Sequence, residues 1–358
     1  MFCLLLLSAL LISSSRPVVP PAGLPVDLPQ RLKAALEGTG FAGVVLVGRS
    51  DSLVWQQGYG DADRQRHVRN GPATAFDVGS LTKQFTAAAI LALEQDGRLT
   101  VQDSLGMYFP SAPADKRGIT LHQLLTHTAG LREYLGRDER WLSQPDFLRQ
   151  TLRSKLVFAP GSAYQYSNVG YSLLAVVIER VSSLPYERYL HQRLFQPAGL
   201  TATGYRLTTW PDSTVAVGYV RERRWGKPMT KGWAPDGPSW NLRGNGGMLS
   251  TAQDMWRWHQ ALAGGRILAP ATQAKLYQPY VAKKPGGAIS YGYGWSVYES
   301  KRGTRVVSHG GSNDIFFVHY VRYLDPRDGG TVLFVATNQS PDVARKVSQV
   351  LMGVLFPD

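Results

Sequence analysis

The chain has 358 residues, 44% hydrophobic and 18% charged, with 39 Lys and Arg against 26 Asp and Glu, for a formal net charge of +13. That balance suits a globular protein of two domains, or one with a large insertion, and excludes disordered, collagenous and coiled-coil classes. The basic excess favours anionic surfaces, but no nucleic-acid-binding signature accompanies it, so charge alone assigns no DNA or RNA partner.

From Phe2 to Ile12 the chain is almost free of polar residues, then it reaches Ser13, Ser14, Ser15, Arg16 and Pro17. Such a run is too short to cross a bilayer as a helix, but it suits the apolar part of a secretory signal, with a cleavage site at Ser13 or Ser15. No basic residue precedes it, and a buried N-terminal helix is the alternative. The expectation is a signal peptide over 1–15, a Pro-rich leader over 16–27 and an exported chain, periplasmic or secreted. The single cysteine, Cys3, falls in that segment, so the mature chain would carry neither a disulfide nor a thiol nucleophile. No later apolar run is long enough for a membrane span.

A helix is expected over Pro29–Glu37, then strands over Gly43–Val47 and Ser52–Tyr59 across a turn at Ser50-Asp51. From Phe76 the character changes. Phe85, Ala88, Ala89 and Leu93 recur at helical spacing, which predicts a helix over Ser80–Glu94. Further helices are expected over Leu121–Thr126, Pro145–Arg153, Val169–Val181 and Tyr186–Leu194, and from Thr251 with Ser250 as its cap. Arg221, Arg223, Arg224, Lys227 and Lys231 form the densest basic stretch. A solvated hairpin is favoured there over an anion-facing loop, because Pro228 and Gly232 suit a turn. Strand patterning returns near Trp295 and continues over Arg305–Ser308, Ile315–Tyr323 and Thr331–Thr337, before a last helix over Pro341–Leu355. The expected fold is α+β: an antiparallel sheet flanked by N- and C-terminal helices, with a large, mostly helical insertion. Within a domain over 28–358, residues 28–75 and 290–358 would form the sheet part and 76–289 the helical part.

Three short motifs carry chemistry. In Ser80-Leu81-Thr82-Lys83, helical spacing puts the lysine on the face of the serine, whose hydroxyl needs a base to become a nucleophile. A free lysine, with a pKa of about 10.4, must be shifted down by burial or nearby positive charge to serve. In Tyr166-Ser167-Asn168, the phenol can relay a proton if positive charge lowers its pKa, and the amide can bind both a carbonyl and Lys83. Helix capping is the simpler reading of these residues taken by themselves, because Ser and Asn are favoured there. In His309-Gly310-Gly311-Ser312, the glycines let a ligand backbone approach a strand edge, and the N–H groups of Ser80 and Ser312 would form an oxyanion hole. A hairpin turn is the competing reading. No Gly-x-Ser-x-Gly, His-Glu-x-x-His or phosphate-loop pattern occurs, so neither a metal nor a cofactor is expected.

In this order and with their flanks, the motifs resemble the penicillin-recognising serine hydrolases. The likeness is to the class C β-lactamase and D-alanyl-D-alanine-peptidase branch, which includes esterases and D-aminopeptidases. It covers Phe41 to the C-terminus and includes Leu124–Leu131, Phe158–Gly161 and Gly246–Thr251. The resemblance implies that Ser80 is acylated, that Lys83 and Tyr166 handle its proton in an order left open, and that Tyr166 serves as base for the hydrolytic water. It also implies that Asn168, His309, Gly310, Gly311 and Ser312 bind substrate. His309 stands where dedicated β-lactamases carry a lysine, which weakens the site for a substrate carboxylate. An ester or amide, as for a carboxylesterase or a D-amino-acid-type peptidase on small or cell-wall-derived substrates, therefore ranks above a β-lactam. A true β-lactamase and a sensor that binds without turnover are the alternatives.

Overall fold

In the computed structural model, residues 25–138 and 140–357 are described. The expected signal peptide and most of the Pro-rich leader lie outside them. The elements that matter here are α1 (Leu28–Ala34), β1 (Gly43–Arg49), β2 (Ser52–Tyr59), β3 (Phe76–Asp77), α2 (Thr82–Gln95), α3 (Leu121–Leu125), α4 (Gln144–Arg153) and α5 (Asn168–Ser182). They continue with α6 (Tyr186–Leu190), β4 (Gly218–Val220), β5 (Arg223–Gly226), β6 (Leu249–Ser250), α7 (Ala252–Ala263), β7 (Val281–Ala282), β8 (Ser290–Tyr291) and β9 (Ser296–Glu299). Last come β10 (Arg305–Ser312), β11 (Phe317–Tyr323), β12 (Thr331–Thr337) and α8 (Pro341–Leu355).

One eight-stranded antiparallel sheet runs β2-β1-β12-β11-β10-β9-β8-β7. Side chains alternate across a strand, so each strand feeds two cores. Val45, Val47, Leu333 and Val335 pack with Leu28 and Leu32 of α1 and Val347 and Leu351 of α8. Val44, Leu46, Val332 and Phe334 face the helical part, with Phe85, Leu174 and Trp258. With both faces covered, all seven residues of β12 are buried, and it reads as an unbroken apolar run. This is the α+β arrangement expected from the sequence. The sheet also recruits Val281–Ala282, ahead of the expected return at residue 290.

Several local expectations are corrected. Ser80 lies in a 3₁₀ turn over Gly79–Leu81 rather than in α2 itself. Thr251, not Ser250, caps α7 by accepting the Asp254 N–H, because Ser250 is held in the β3–β6 pair. The helix expected to run to Leu194 changes to a π turn over His191–Phe195. β11 begins at Phe317 rather than Ile315, since the Asn313 side chain captures the N–H groups of Ile315 and Phe316 in a turn. The basic stretch forms the β4–β5 hairpin, with Arg224 paired to Asp63 at 2.8 Å and Lys227 to Asp212. No helix among the described residues is long and apolar enough to cross a membrane.

Candidate active site

The nucleophile corner is built where the chain passes from β3 into α2. β3 pairs with β6, and the Val78 N–H reaches the Met248 carbonyl at 2.8 Å, which fixes the approach to Ser80. Gly79 takes a left-handed φ of +50° and presses against β10: a Cβ on it would stand 2.6 Å from the Ser312 nitrogen. Gly311 answers from the other side, where a Cβ would stand 2.0 Å from the Val78 carbonyl oxygen. Only glycine permits that backbone contact. It brings Ser80 and Ser312 to adjoining segments.

α2 is buried nearly all round, and its first turn carries Lys83 into the core with no exposed surface. Lys83 Nζ lies 3.0 Å from Ser80 Oγ, 2.6 Å from Asn168 Oδ1 and 2.7 Å from the Asn245 carbonyl. None of these partners is charged. Burial drives the amine well below its ordinary value, and the carboxylates of Asp138 and Glu133 oppose that only in part. A neutral amine has two N–H bonds and a lone pair. The Asn245 carbonyl can only accept, and Asn168 presents its oxygen, so the lone pair is left facing the Ser80 hydroxyl.

Tyr166 bonds to the same hydroxyl, and Lys83 Nζ sits 4.7 Å from the centre of its ring. The sequence reading required positive charge to lower this phenol; the reverse holds. Desolvation by burial raises it well above 10, and the bond to Ser80 offsets this only partly. The phenolate is therefore disfavoured. Ser167 caps α5 by accepting the Gly170 N–H at 3.1 Å. Capping thus explains Ser167, while Asn168 turns inward to Lys83.

The third motif is a strand end rather than a turn. Residues 309–312 pair with β11 on one side, but pairing with β9 stops at Ser308, so among the described residues no strand pairs with their other edge. His309 points away from any cationic role. Its Nδ1 lies 2.6 Å from the Gly310 carbonyl, which can only accept, so Nδ1 carries the hydrogen and Nε2 accepts from the Tyr291 hydroxyl at 2.9 Å. Burial pushes its pKa down to about 3. Lys283 contributes positive charge on that side, with its ammonium bonded to Ser296 Oγ at 3.2 Å.

Sequence reasoning missed three supports. Asn245 acts through its carbonyl, which no side-chain pattern reveals. His127 is buried with φ +62°, its ring 4.3 Å from that of Tyr166, and its Nδ1 accepts the Ser167 N–H at 3.0 Å. It lies inside Leu124–Leu131, a stretch that marked only the resemblance. Glu133 accepts the Asn168 N–H at 3.0 Å and so fixes the start of α5.

An antiparallel sheet with a helical insertion, and a buried Ser-x-x-Lys beside Tyr-x-Asn, define the penicillin-recognising serine hydrolases. The chain belongs to the beta-lactamase family, whose model matches residues 28–351. PbpX of Bacillus subtilis is 33% identical over 272 residues, covering 76% of this chain and 66% of that protein. A second relative from that organism, named as a penicillin-binding protein, is 29% identical over 84% of this chain and 68% of its own. The chain thus spans about two thirds of the length of the curated relatives it matches. The crystal structure of a penicillin-binding protein from Bacillus halodurans superposes with a TM-score of 0.75 at 26% identity, over 89% of this chain and 99% of that one. A D-amino acid amidase from Ochrobactrum anthropi shares the fold, with a TM-score of 0.74 at 22% identity over 92% and 98% of the two chains.

Proposed function

We propose that this protein hydrolyses an ester or amide through an acyl-Ser80 intermediate, with Lys83 as the first base. The observation that carries the reading is the wholly buried Lys83, 3.0 Å from Ser80 Oγ, with its other neighbours neutral acceptors. Its lone pair takes the hydroxyl proton as Oγ attacks the carbonyl carbon. The N–H groups of Ser80 and Ser312 receive the oxyanion. Tyr166, held as a neutral phenol, donates its proton to the departing oxygen or nitrogen and regains one from the Lys83 ammonium. In deacylation a water gives its proton to the neutral Lys83 and attacks the acyl carbon, and Ser80 leaves with a proton returned from Lys83. Asn168 orients Lys83 and the substrate carbonyl.

His309 is neutral with both nitrogens engaged, so it offers no charge to a substrate carboxylate. This favours a carboxylesterase or D-amino-acid-type peptidase over a β-lactamase. In the same reading the mature chain is exported, and 28–358 form the hydrolase domain, with 28–75 and 281–358 supplying the sheet part and the residues between them mainly helical.

The test sets p-nitrophenyl acetate, a chromogenic cephalosporin and a D-alanyl-D-alanine peptide against the parent and Ser80→Ala. Turnover that vanishes in the variant, with ester or peptide cleaved faster than cephalosporin, is expected. Equal rates in both proteins would overturn the mechanism. A stable adduct on Ser80 without product would make the protein a sensor.

A further inference from the structure

Asp77 ends β3, just ahead of the nucleophile turn, and its side chain is 97% withdrawn from solvent, being 3% exposed. Its Oδ1 accepts the Gly79 N–H at 2.7 Å, and its Oδ2 accepts from Asn313 Nδ2 at 2.8 Å. Asn313 cannot turn its amide round, because its Oδ1 already receives the N–H groups of Ile315 at 3.2 Å and Phe316 at 2.8 Å. Gly79 immediately precedes Ser80, and Asn313 immediately follows Ser312. One carboxylate therefore ties together the two backbone segments that would supply the oxyanion N–H groups. Those segments are already in contact through Gly79 and Gly311.

Stability alone gives little reason for a carboxylate here. Among the described residues Asp77 has no ion pair, and a buried anion without a cation is costly. It lines a cavity of about 50 Å³ together with Asp138, Trp225, Lys231 and Trp233. Burial and the Asp138 charge push its pKa up to about 7, against the pull of its two hydrogen bonds. The folded chain thus holds its proton more tightly than the unfolded chain does. Stability contributed by that proton falls as pH rises from about 4 to about 7, so the charged form is the destabilising one.

We propose that Asp77 is a positioning residue that sets the spacing of the Ser80 and Ser312 N–H groups, by bonding Gly79 on one side and Asn313 on the other. This inference rests on the acyl-serine reading above. It acts through the backbone and touches neither substrate nor the reacting atoms. A misaligned donor pair would weaken binding of the developing oxyanion and leave ground-state binding nearly intact.

The nearly isosteric Asp77→Asn can still accept from Gly79, but it sets one amide NH₂ against another at Asn313. On p-nitrophenyl acetate at pH 8, kcat should fall about ten- to a hundred-fold, less than the roughly 10²- to 10³-fold of losing an oxyanion donor outright, while KM moves less than about two-fold. The melting temperature at that pH should hold or rise. The swap Asp77→Asn with Asn313→Asp restores a donor facing an acceptor and should recover most of kcat. Wild-type kcat in Asp77→Asn, with Ser80→Ala inactive, would overturn the clasp and leave the hydrolase reading standing. A lower melting temperature with no recovery in the swap would make Asp77 merely structural. Turnover in the parent that does not depend on Ser80 would overturn both.

Discussion

Two buried lysines in this chain have opposite surroundings. Lys227, on the loop after the basic hairpin, is 7% exposed and reaches both the carboxylate and the carbonyl of Asp212. Lys83 has no exposed surface, and its three close partners are a hydroxyl, an amide oxygen and a backbone carbonyl. A lysine buried among neutral acceptors only tends to lose its proton, and burial does hold the Lys83 amine well below its ordinary value. The same residue type is thus structural at one place and poised as a base at the other. One is bonded to a carboxylate, while the other is buried among neutral acceptors only.

The comparison breaks most decisively at Lys83. Lys83→Met should lower kcat/KM by at least about 10²- to 10⁴-fold, the usual worth of a positioned proton transfer. It should also make the protein more stable at pH 7. Because the folded amine is held below its unfolded value, the unfolded chain binds the extra proton between the two values, and stability rises with pH across that window. Thermal melts from pH 6 to 10 should show the gap between parent and variant closing toward the ordinary lysine pKa of about 10.4. A destabilised, fully active Lys83→Met would end the contrast.

A smaller effect is expected at Tyr166. Tyr166→Phe removes the phenolic donor but leaves Lys83 in place, so ester hydrolysis should fall about 10²-fold, and less for a good leaving group than for a poor one. Rates on a series of leaving groups would read this, and an equal loss across the series would remove Tyr166 from leaving-group protonation. The smallest effect is expected at the other lysine. Asp212 is 69% exposed, so Asp212→Asn should shift stability by no more than about 1 kcal/mol and leave turnover unchanged. Denaturant melts and the esterase assay together would show it; a marked loss of activity would make the hairpin part of the site.

What the sequence made legible follows from how local each signal is. Thr331–Thr337 and Pro341–Leu355 came out with the expected bounds, because apolar runs and helical periodicity are written in neighbouring residues. Ser80, Lys83, Tyr166 and Asn168 could be picked out by their motifs, and the fold brings these four together. The direction of the Tyr166 shift could not be read, since it depends on burial by residues far along the chain, such as His127 and Tyr291. His309 was legible as a residue but not in its orientation, which its Tyr291 partner sets. Asp77 carries no motif of its own, because its partner Asn313 stands at the other end of the sequence.

The contact between Gly79 and Gly311 also bears on how this scaffold could be diversified. A Cβ at either position would overlap the facing backbone, at 2.6 Å from the Ser312 nitrogen and 2.0 Å from the Val78 oxygen. Neither site therefore offers an alternative residue to a mutant library, and a substitution at one cannot be rescued at the other, since both are already as small as a residue can be.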